Sequence, residues 1–176
     1  AADPLTGLPG AEQTKREVQR RTIASEGFGL AYFELLGIRE FAYRCGHDAR
    51  CRAIRHLGRA LEKIGESLPM QGLFVGHMGG GHFVCIMPHE KTNHFCETLE
   101  TYWDKHLPKL FESVGAGAWQ ESEDGTPTPM LRTICCATIR EPGMPATSQA
   151  LFETVSRIRQ RAQNLSRAGI YIDQRL

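Results

Sequence analysis

Three things are missing from this sequence: a surplus of either charge, an apolar run long enough to cross a bilayer, and any paired cysteine spacing. Twenty-one Lys and Arg stand against 20 Asp and Glu, for a net charge of +1 at pH 7. A domain that binds nucleic acid through phosphates carries a basic surplus, so the charge total gives no nucleic-acid partner. A membrane helix needs about 20 successive apolar residues, and the short runs here predict no direct membrane insertion. None of the six cysteines (Cys45, Cys51, Cys85, Cys96, Cys135 and Cys136) falls in a C-x-x-C pair, which removes support for a zinc ribbon or a thioredoxin-like site. Cys135 and Cys136 are adjacent and point to opposite faces of any strand. All six are expected to be buried, reduced thiols. No secretory leader is visible and no period of 20–50 residues recurs, so the expected location is the cytoplasm and solenoids are excluded.

What is present suits one globular domain. The chain has 176 residues, 41% hydrophobic and 23% charged, long enough to bury a core without metal or disulfide staples. The opening Asp3-Pro4-Leu5-Thr6-Gly7-Leu8-Pro9-Gly10 is turn chemistry. A mostly polar helix follows from Ala11 to about Ala24, with Val18 and Ile23 as its sparse anchors. Phe28 to Leu36 is a nearly continuous apolar run, the pattern of a strand buried on both faces. Glu34 interrupts it near its end, where a strand can present a functional acid. A short helix is predicted from Ile38 to Arg44, then a break at Cys45-Gly46-His47-Asp48. The second helix runs to about Glu66 on the stripe Ile54, Leu57, Leu61 and Ile64, with Arg50, Arg52, Arg55, Arg59 and Lys63 on its polar face.

Leu73-Phe74-Val75 and Phe83 to Met87 read as two strands joined through His77-Met78-Gly79-Gly80-Gly81-His82, an antiparallel hairpin. A helix from Glu90 to Phe111 follows, kinked or shortened by Pro108. Residues 112–129 read as an exposed loop or extended hairpin, and Met130 to Ile139 as another buried strand. Thr147 and Ser148 offer a cap for a last helix reaching about Ala168, with Leu151, Val155, Ile158, Ala162 and Leu165 as its stripe. Gly169 ends it, and Ile170-Tyr171-Ile172 is a short final strand. His56, His77, His89, His94 and His106 do not gather at ligand spacing and are expected to be surface or structural residues.

Asp3-Pro4-Leu5-Thr6-Gly7-Leu8-Pro9-Gly10 resembles the D-x-L-T-G-L-x-N-R signature that opens GGDEF domains, the diguanylate cyclases. Cys45-Gly46-His47-Asp48-Ala49 resembles the family's Y-G-H-x-x segment. Gly79-Gly80-Gly81-His82-Phe83 stands in the hairpin where the family carries Gly-Gly-Asp-Glu-Phe, and Arg167-Ala168-Gly169 is similar to its K-x-x-G-R-N ending. The resemblance covers the whole chain. It implies an α/β, palm-like nucleotide-cyclase fold: a central mixed, largely antiparallel five-stranded sheet flanked by helices. Residues 1–176 are then one GGDEF domain cut from a longer multidomain signalling protein. In active members two GTP condense to cyclic di-GMP with paired carboxylates holding divalent ions, the logic of two-metal phosphoryl transfer.

This sequence departs from that pattern where the chemistry lies. The family's D-x-D-x-F-K element is Glu34-Leu35-Leu36-Gly37-Ile38-Arg39, so one acid survives as Glu34 and the other position is Leu36. The guanine-recognising Asn and Asp fall at Ala42 and Tyr43, with Tyr43 expected to fill the space of the base. The signature's Asp and metal-binding Glu are Gly81 and His82, and the phosphate-binding Lys is Ser166. The inhibitory R-x-x-D site aligns with the uncharged Met70-Gln71-Gly72-Leu73. Mg²⁺ needs hard oxygen ligands, whereas neutral imidazole at His82 suits a transition metal.

The expectation is therefore a catalytically inactive domain with no metal or cofactor and only vestigial positions at Glu34, Leu36, Gly79, Gly80, Gly81 and His82. Its use would be regulation or protein interaction, with neighbouring sensor or EAL-type domains and a second copy as partners. A nucleotide-sensing domain remains an alternative, with phosphate held by Gly37, Ile38 and Arg39 at a helix start. Mg²⁺ and GTP enter only there or in a second alternative, residual cyclase activity.

Overall fold

The computed structural model describes residues 2–68, 70–165 and 167–173. Its first helix, α1 (Ala11–Ile23), is polar and packs through Val18 into one of the two cores. Thr14, Val18 and Arg21 are its buried positions, spaced four and three apart, while Ile23 at the last turn is 76% exposed and anchors nothing. The apolar run becomes β1 (Phe28–Leu36) with the expected bounds. Gly37 then turns the chain with φ 88° into α2 (Ile38–Cys45). A Cβ there would overlap the Met130 carbonyl oxygen, so the position needs glycine for space as well as for angle.

The expected four-residue break is only Gly46, whose φ of 95° redirects the backbone. The long helix α3 (His47–Ser67) starts at once and buries Ile54, Leu57, Leu61 and Ile64. Strands β2 (Phe74–Gly79) and β3 (His82–Pro88) run further into the glycines than the apolar runs suggested, leaving Gly80-Gly81 as the turn. Gly79 and Gly80 both take positive φ, 100° and 51°, which is the geometric reason for glycine in this hairpin.

After a single 3₁₀ turn at His89–Lys91, α4 (Thr92–Glu112) buries Phe95, Leu99, Trp103, Leu107 and Phe111. It continues past Pro108 rather than stopping, and Pro108 lies on its exposed side. There the carbonyl that loses its helical donor can take one from water. Of the two readings for residues 112–129 the hairpin holds: β4 (Trp119–Glu121) pairs with β5 (Pro127–Pro129) in a separate two-stranded sheet. The strand β6 (Arg132–Arg140) follows. The Thr147 hydroxyl then accepts the Ala150 N–H at 3.1 Å and caps α5 (Ser148–Leu165). Leu151, Val155, Ile158 and Ala162 form its buried stripe, but Leu165, at its last turn, is 55% exposed and lies outside it. α5 ends before Ala168, and Gly169 opens β7 (Gly169–Asp173) instead of closing the helix.

The main sheet has the order β2-β3-β1-β6-β7, antiparallel throughout except for the parallel pair β6–β7. It is the mixed, largely antiparallel five-stranded sheet that the resemblance implied. Alternate residues of β1 feed two cores. Ala31, Phe33 and Leu35 pack with α3 and α4, and Phe28 and Leu30 with α1 and α5. Four cysteines (Cys85, Cys96, Cys135 and Cys136) are buried, whereas Cys45 and Cys51 are only half-buried. Cys45 packs against the core on the α3/α4 side, and the Cys51 Sγ is 3.4 Å from the His47 imidazole. No helix among the described residues is long and apolar enough to cross a membrane.

Candidate functional site

Antiparallel pairing of β1 with β3 sets Glu34 directly opposite His82 at the open end of the sheet. Their side chains rise on the α5 side, where Glu34 Oε1 is 3.9 Å from His82 Nδ1. The third member comes from α5. Arg159 donates from Nη2 to Glu34 Oε2 at 3.3 Å, and its guanidinium carbon lies 4.0 Å over the Tyr32 ring. Tyr32 in turn meets the His82 ring edge-on, with centroids 5.8 Å apart. Glu34 and Arg159 are 18% and 23% exposed, so the pair is screened only in part. Cation–π contact adds to the ion pair in such a setting.

The environment acts on each neighbour. Desolvation lowers the His82 pKa below the ordinary imidazole value; Glu34 pulls it up, and Arg159 pushes it further down. Desolvation raises the Tyr32 phenol, against the opposing pull of Arg159. Burial pushes the Cys136 thiol up to about 12, again against Arg159. The cluster is therefore one carboxylate closed by one guanidinium, beside a neutral imidazole and two protonated weak acids. Such a set binds its own internal charge.

These residues do not fit a divalent magnesium ion. Mg²⁺ asks for several oxygen ligands in octahedral array, and the single carboxylate already accepts from Arg159. Leu36 is half-buried and packs against the α5-side core. Gly81 lies flat in the hairpin, its carbonyl accepting the Leu35 N–H at 3.0 Å; a side chain there would press on Leu35. No group of three or more His, Cys, Asp or Glu side chains among the described residues is placed to hold a metal.

The other sequence-marked positions scatter. Tyr43 does not fill a base pocket: it is 87% exposed on the outer side of α2, because Phe41 is the residue of that turn that faces the core. Ala42 is half-buried. Gly37 and Ile38 begin α2, with Arg39 exposed beyond them. Ser166 lies outside the described residues. In the segment aligned with R-x-x-D, the Gly72 carbonyl accepts from Arg21 at 2.6 Å, and Arg21 also donates to Glu17 at 2.9 Å, so the arginine near this segment is already engaged. Glu90 and His94 are both exposed, and the closest partner of Glu90 is His89, at 4.0 Å.

The opening signature has a structural task. Asp3 accepts from the Leu5 and Thr6 N–H groups and lies 3.0 Å from His77 Nδ1, which also meets the Thr6 hydroxyl at 2.9 Å. His77 Nε2 donates to the Gly80 carbonyl at 2.6 Å, and its ring stacks on Phe83 with centroids 4.4 Å apart. One buried histidine thus ties the N-terminal turn to the hairpin tip. His77, expected as a surface or structural histidine, is a structural one. Arg159 is the residue that sequence reasoning missed, and nothing local marks it.

No family model matches the chain, and no curated protein matches it. Solved structures do. The GGDEF domain of DgcB from Caulobacter crescentus, in complex with c-di-GMP, superposes with a TM-score of 0.70 at 17% identity, covering 97% of this chain and 94% of that one. The FimX GGDEF domain from Pseudomonas aeruginosa gives 0.66 at 14% identity over 98% of each chain. A Vibrio cholerae LapD structure comprising S helix, GGDEF and EAL parts, bound to c-di-GMP, gives 0.68 at 12% identity; the match covers 98% of this chain and 36% of LapD. At these identities the likeness is one of architecture: the chain has the fold of a GGDEF domain.

Proposed function

We propose that this chain is a GGDEF domain that has kept the fold and lost the nucleotide chemistry, and that it serves as a regulatory or protein-interaction module in bacterial cyclic di-GMP signalling. The observation that carries the reading is the Arg159 guanidinium on Glu34. Where two-metal phosphoryl transfer needs clustered carboxylates and free cations for phosphate, this site has one carboxylate with its own counter-ion. Leu36 and Gly81 supply no further ligand, and Tyr43 points to solvent.

Such a module works through what it touches. Neighbouring sensor or EAL-type domains in the same cytoplasmic protein are its natural partners, an arrangement supported by the S helix–GGDEF–EAL chain of LapD. The test is titration calorimetry with GTP and Mg²⁺ to millimolar nucleotide, alongside chromatography for cyclic di-GMP. Neither heat nor product is expected. Heat without product would replace this reading with nucleotide sensing, and turnover would overturn it.

A further inference from the structure

The packing of the sheet on both faces divides the four buried cysteines. Cys136 belongs to the core on the α5 side, whereas Cys85 of β3, Cys96 of α4 and Cys135 of β6 belong to the core between the sheet and α3/α4. Within that second group one pair is in direct contact: the Cys135 thiol donates to the Cys96 Sγ at 3.2 Å. A disulfide closes at about 2.05 Å, so the two sulfurs have about 1.2 Å left to travel. Their neighbours hold them in place. Cys135 is the cross-strand partner of Phe33, and the Phe33 ring meets Phe95 of α4 edge-on with centroids 6.1 Å apart. The contact that seats α4 on the sheet therefore also sets Cys96, the next residue, against Cys135.

The direction of the hydrogen bond divides the chemistry. A sulfur that accepts a hydrogen bond is held more easily as thiolate, and the thiolate is the nucleophile. Cys96 accepts, so it is the attacking sulfur. Cys135 donates; burial first, and then this hydrogen bond, hold its thiol well above the ordinary value, so it keeps its proton until the second step. We propose that Cys96 and Cys135 are an oxidisable pair, taken to an intramolecular disulfide by a small uncharged peroxide. The Cys96 thiolate attacks one oxygen of hydrogen peroxide and the O–O bond breaks. The leaving oxygen departs as water with the proton Cys96 gave up, and a sulfenic acid remains on Cys96. The Cys135 sulfur then attacks the Cys96 sulfur, the S–O bond breaks, and the hydroxyl leaves as water with the Cys135 proton. Two thiols and one peroxide thus give one disulfide and two waters, and a dithiol reverses the bond.

Burial sets the class of oxidant. Cys96 and Cys135 are 0% and 3% exposed, which bars a charged peptide disulfide, while a peroxide about the size of two waters enters when α4 opens locally. Cys45 and Cys51 are half-buried and have no sulfur within hydrogen-bond reach among the described residues. The new bond would join α4 to β6 across 39 residues, removing freedom from the unfolded chain. The pair lies on the other face of the sheet from Glu34, so it stands whether or not nucleotide chemistry survives.

The test is peptide mass mapping of the whole chain carrying Cys45→Ser/Cys51→Ser, after about 1 mM hydrogen peroxide for several hours and alkylation of the remaining thiols in denaturant. A peptide cross-linked through Cys96 and Cys135 is expected, with Cys85 and Cys136 left to alkylate. The melting temperature should rise by about 5–15 °C, and dithiothreitol should return it to its starting value. Glutathione disulfide at the same concentration should leave the pair reduced. In Cys135→Ala the second thiol is gone, and the sulfenic acid on Cys96 should persist long enough to be trapped by dimedone. Recovery of Cys96 and Cys135 fully alkylated overturns the proposal, as does a link that runs through Cys85 or Cys136. So does cross-linking by glutathione disulfide as complete as that by peroxide. The mapping needs no substitution within the pair, so it decides the matter even if Cys135→Ala does not fold.

Discussion

Replacing Arg159 by Met removes the cation from the Glu34 cluster while keeping apolar bulk against Tyr32. Exposed ion pairs contribute about 0.2–1 kcal/mol, whereas breaking a fully buried pair costs about 3–5 kcal/mol. Glu34 and Arg159, at 18% and 23% exposure and 3.3 Å separation, lie between these limits. The ion pair is therefore worth about 1.5 kcal/mol by interpolation between those bounds. Loss of the guanidinium from the Tyr32 face adds about 0.5–1 kcal/mol. The sum, about 2 kcal/mol, lowers the melting temperature of a domain this size by about 4–8 °C. Calorimetry of Arg159→Met, Glu34→Gln and the double variant isolates the pair, with an expected coupling of about 1 kcal/mol. The His82 pKa should move up in Arg159→Met, because Arg159 helps to depress it while Glu34 acts the other way; proton NMR reads that shift. A melting temperature within about 1 °C of wild type, together with zero coupling, would refute the reasoning, since the guanidinium would then be solvated rather than holding Glu34.

Two further outcomes are expected. His77→Phe keeps the stack on Phe83 but loses the donation to Gly80 and the contacts with Asp3 and Thr6. At about 0.5–1.5 kcal/mol per hydrogen bond, a loss of about 2–3 kcal/mol in urea unfolding is expected, with faster amide exchange at Leu5 and Leu8. A change below about 0.5 kcal/mol would mean that the histidine is a spacer. Stability should also fall on acidification. Burial depresses the pKa of both His56 and His82, His56 also through His106 and Arg59. The unfolded chain therefore binds more protons just below the ordinary value of 6.5, and stability, full above it, drops as the pH falls through that window. Glu100 and Asp104 have raised pKa values and act oppositely, losing their stabilising protonation as the pH climbs past their ordinary values of 4.5 and 3.8. The urea midpoint at about pH 5.5 should lie below that at about pH 7, and His56→Phe should lessen the difference; equal midpoints in wild type would contradict the burial argument.

The core was legible because burial leaves a local trace. β1 matched end to end, since a strand covered on both faces must be apolar along its whole length, and the Thr147 cap marked the start of α5. Core anchors were misread at the last turns of α1 and α5, where Ile23 and Leu165 are apolar by type but exposed. Of the site, the sequence showed only that Leu36, Gly81 and His82 carry no carboxylate where the resemblance implies one. The partner that Glu34 takes was not legible. Arg159 belongs to a helix that also carries Arg157 and Arg161, and its sequence context does not distinguish it from them. Only the packing of α5 across β1 brings one of the three over Tyr32 and onto Glu34.

That packing bears on why Glu34 persists. A carboxylate at a strand end, mostly withdrawn from water, is costly without a counter-charge. In a metal-binding relative of this fold the counter-charge would be an ion; here it is covalently part of the chain and cannot dissociate. The dependence runs both ways. Arg159 Nε is buried with no partner among the described residues, so removing Glu34 would leave a guanidinium with neither of its ends satisfied. The two residues are thus more costly to lose singly than together, and as long as the pair stands, the one carboxylate of this cluster is occupied by a cation of the same chain.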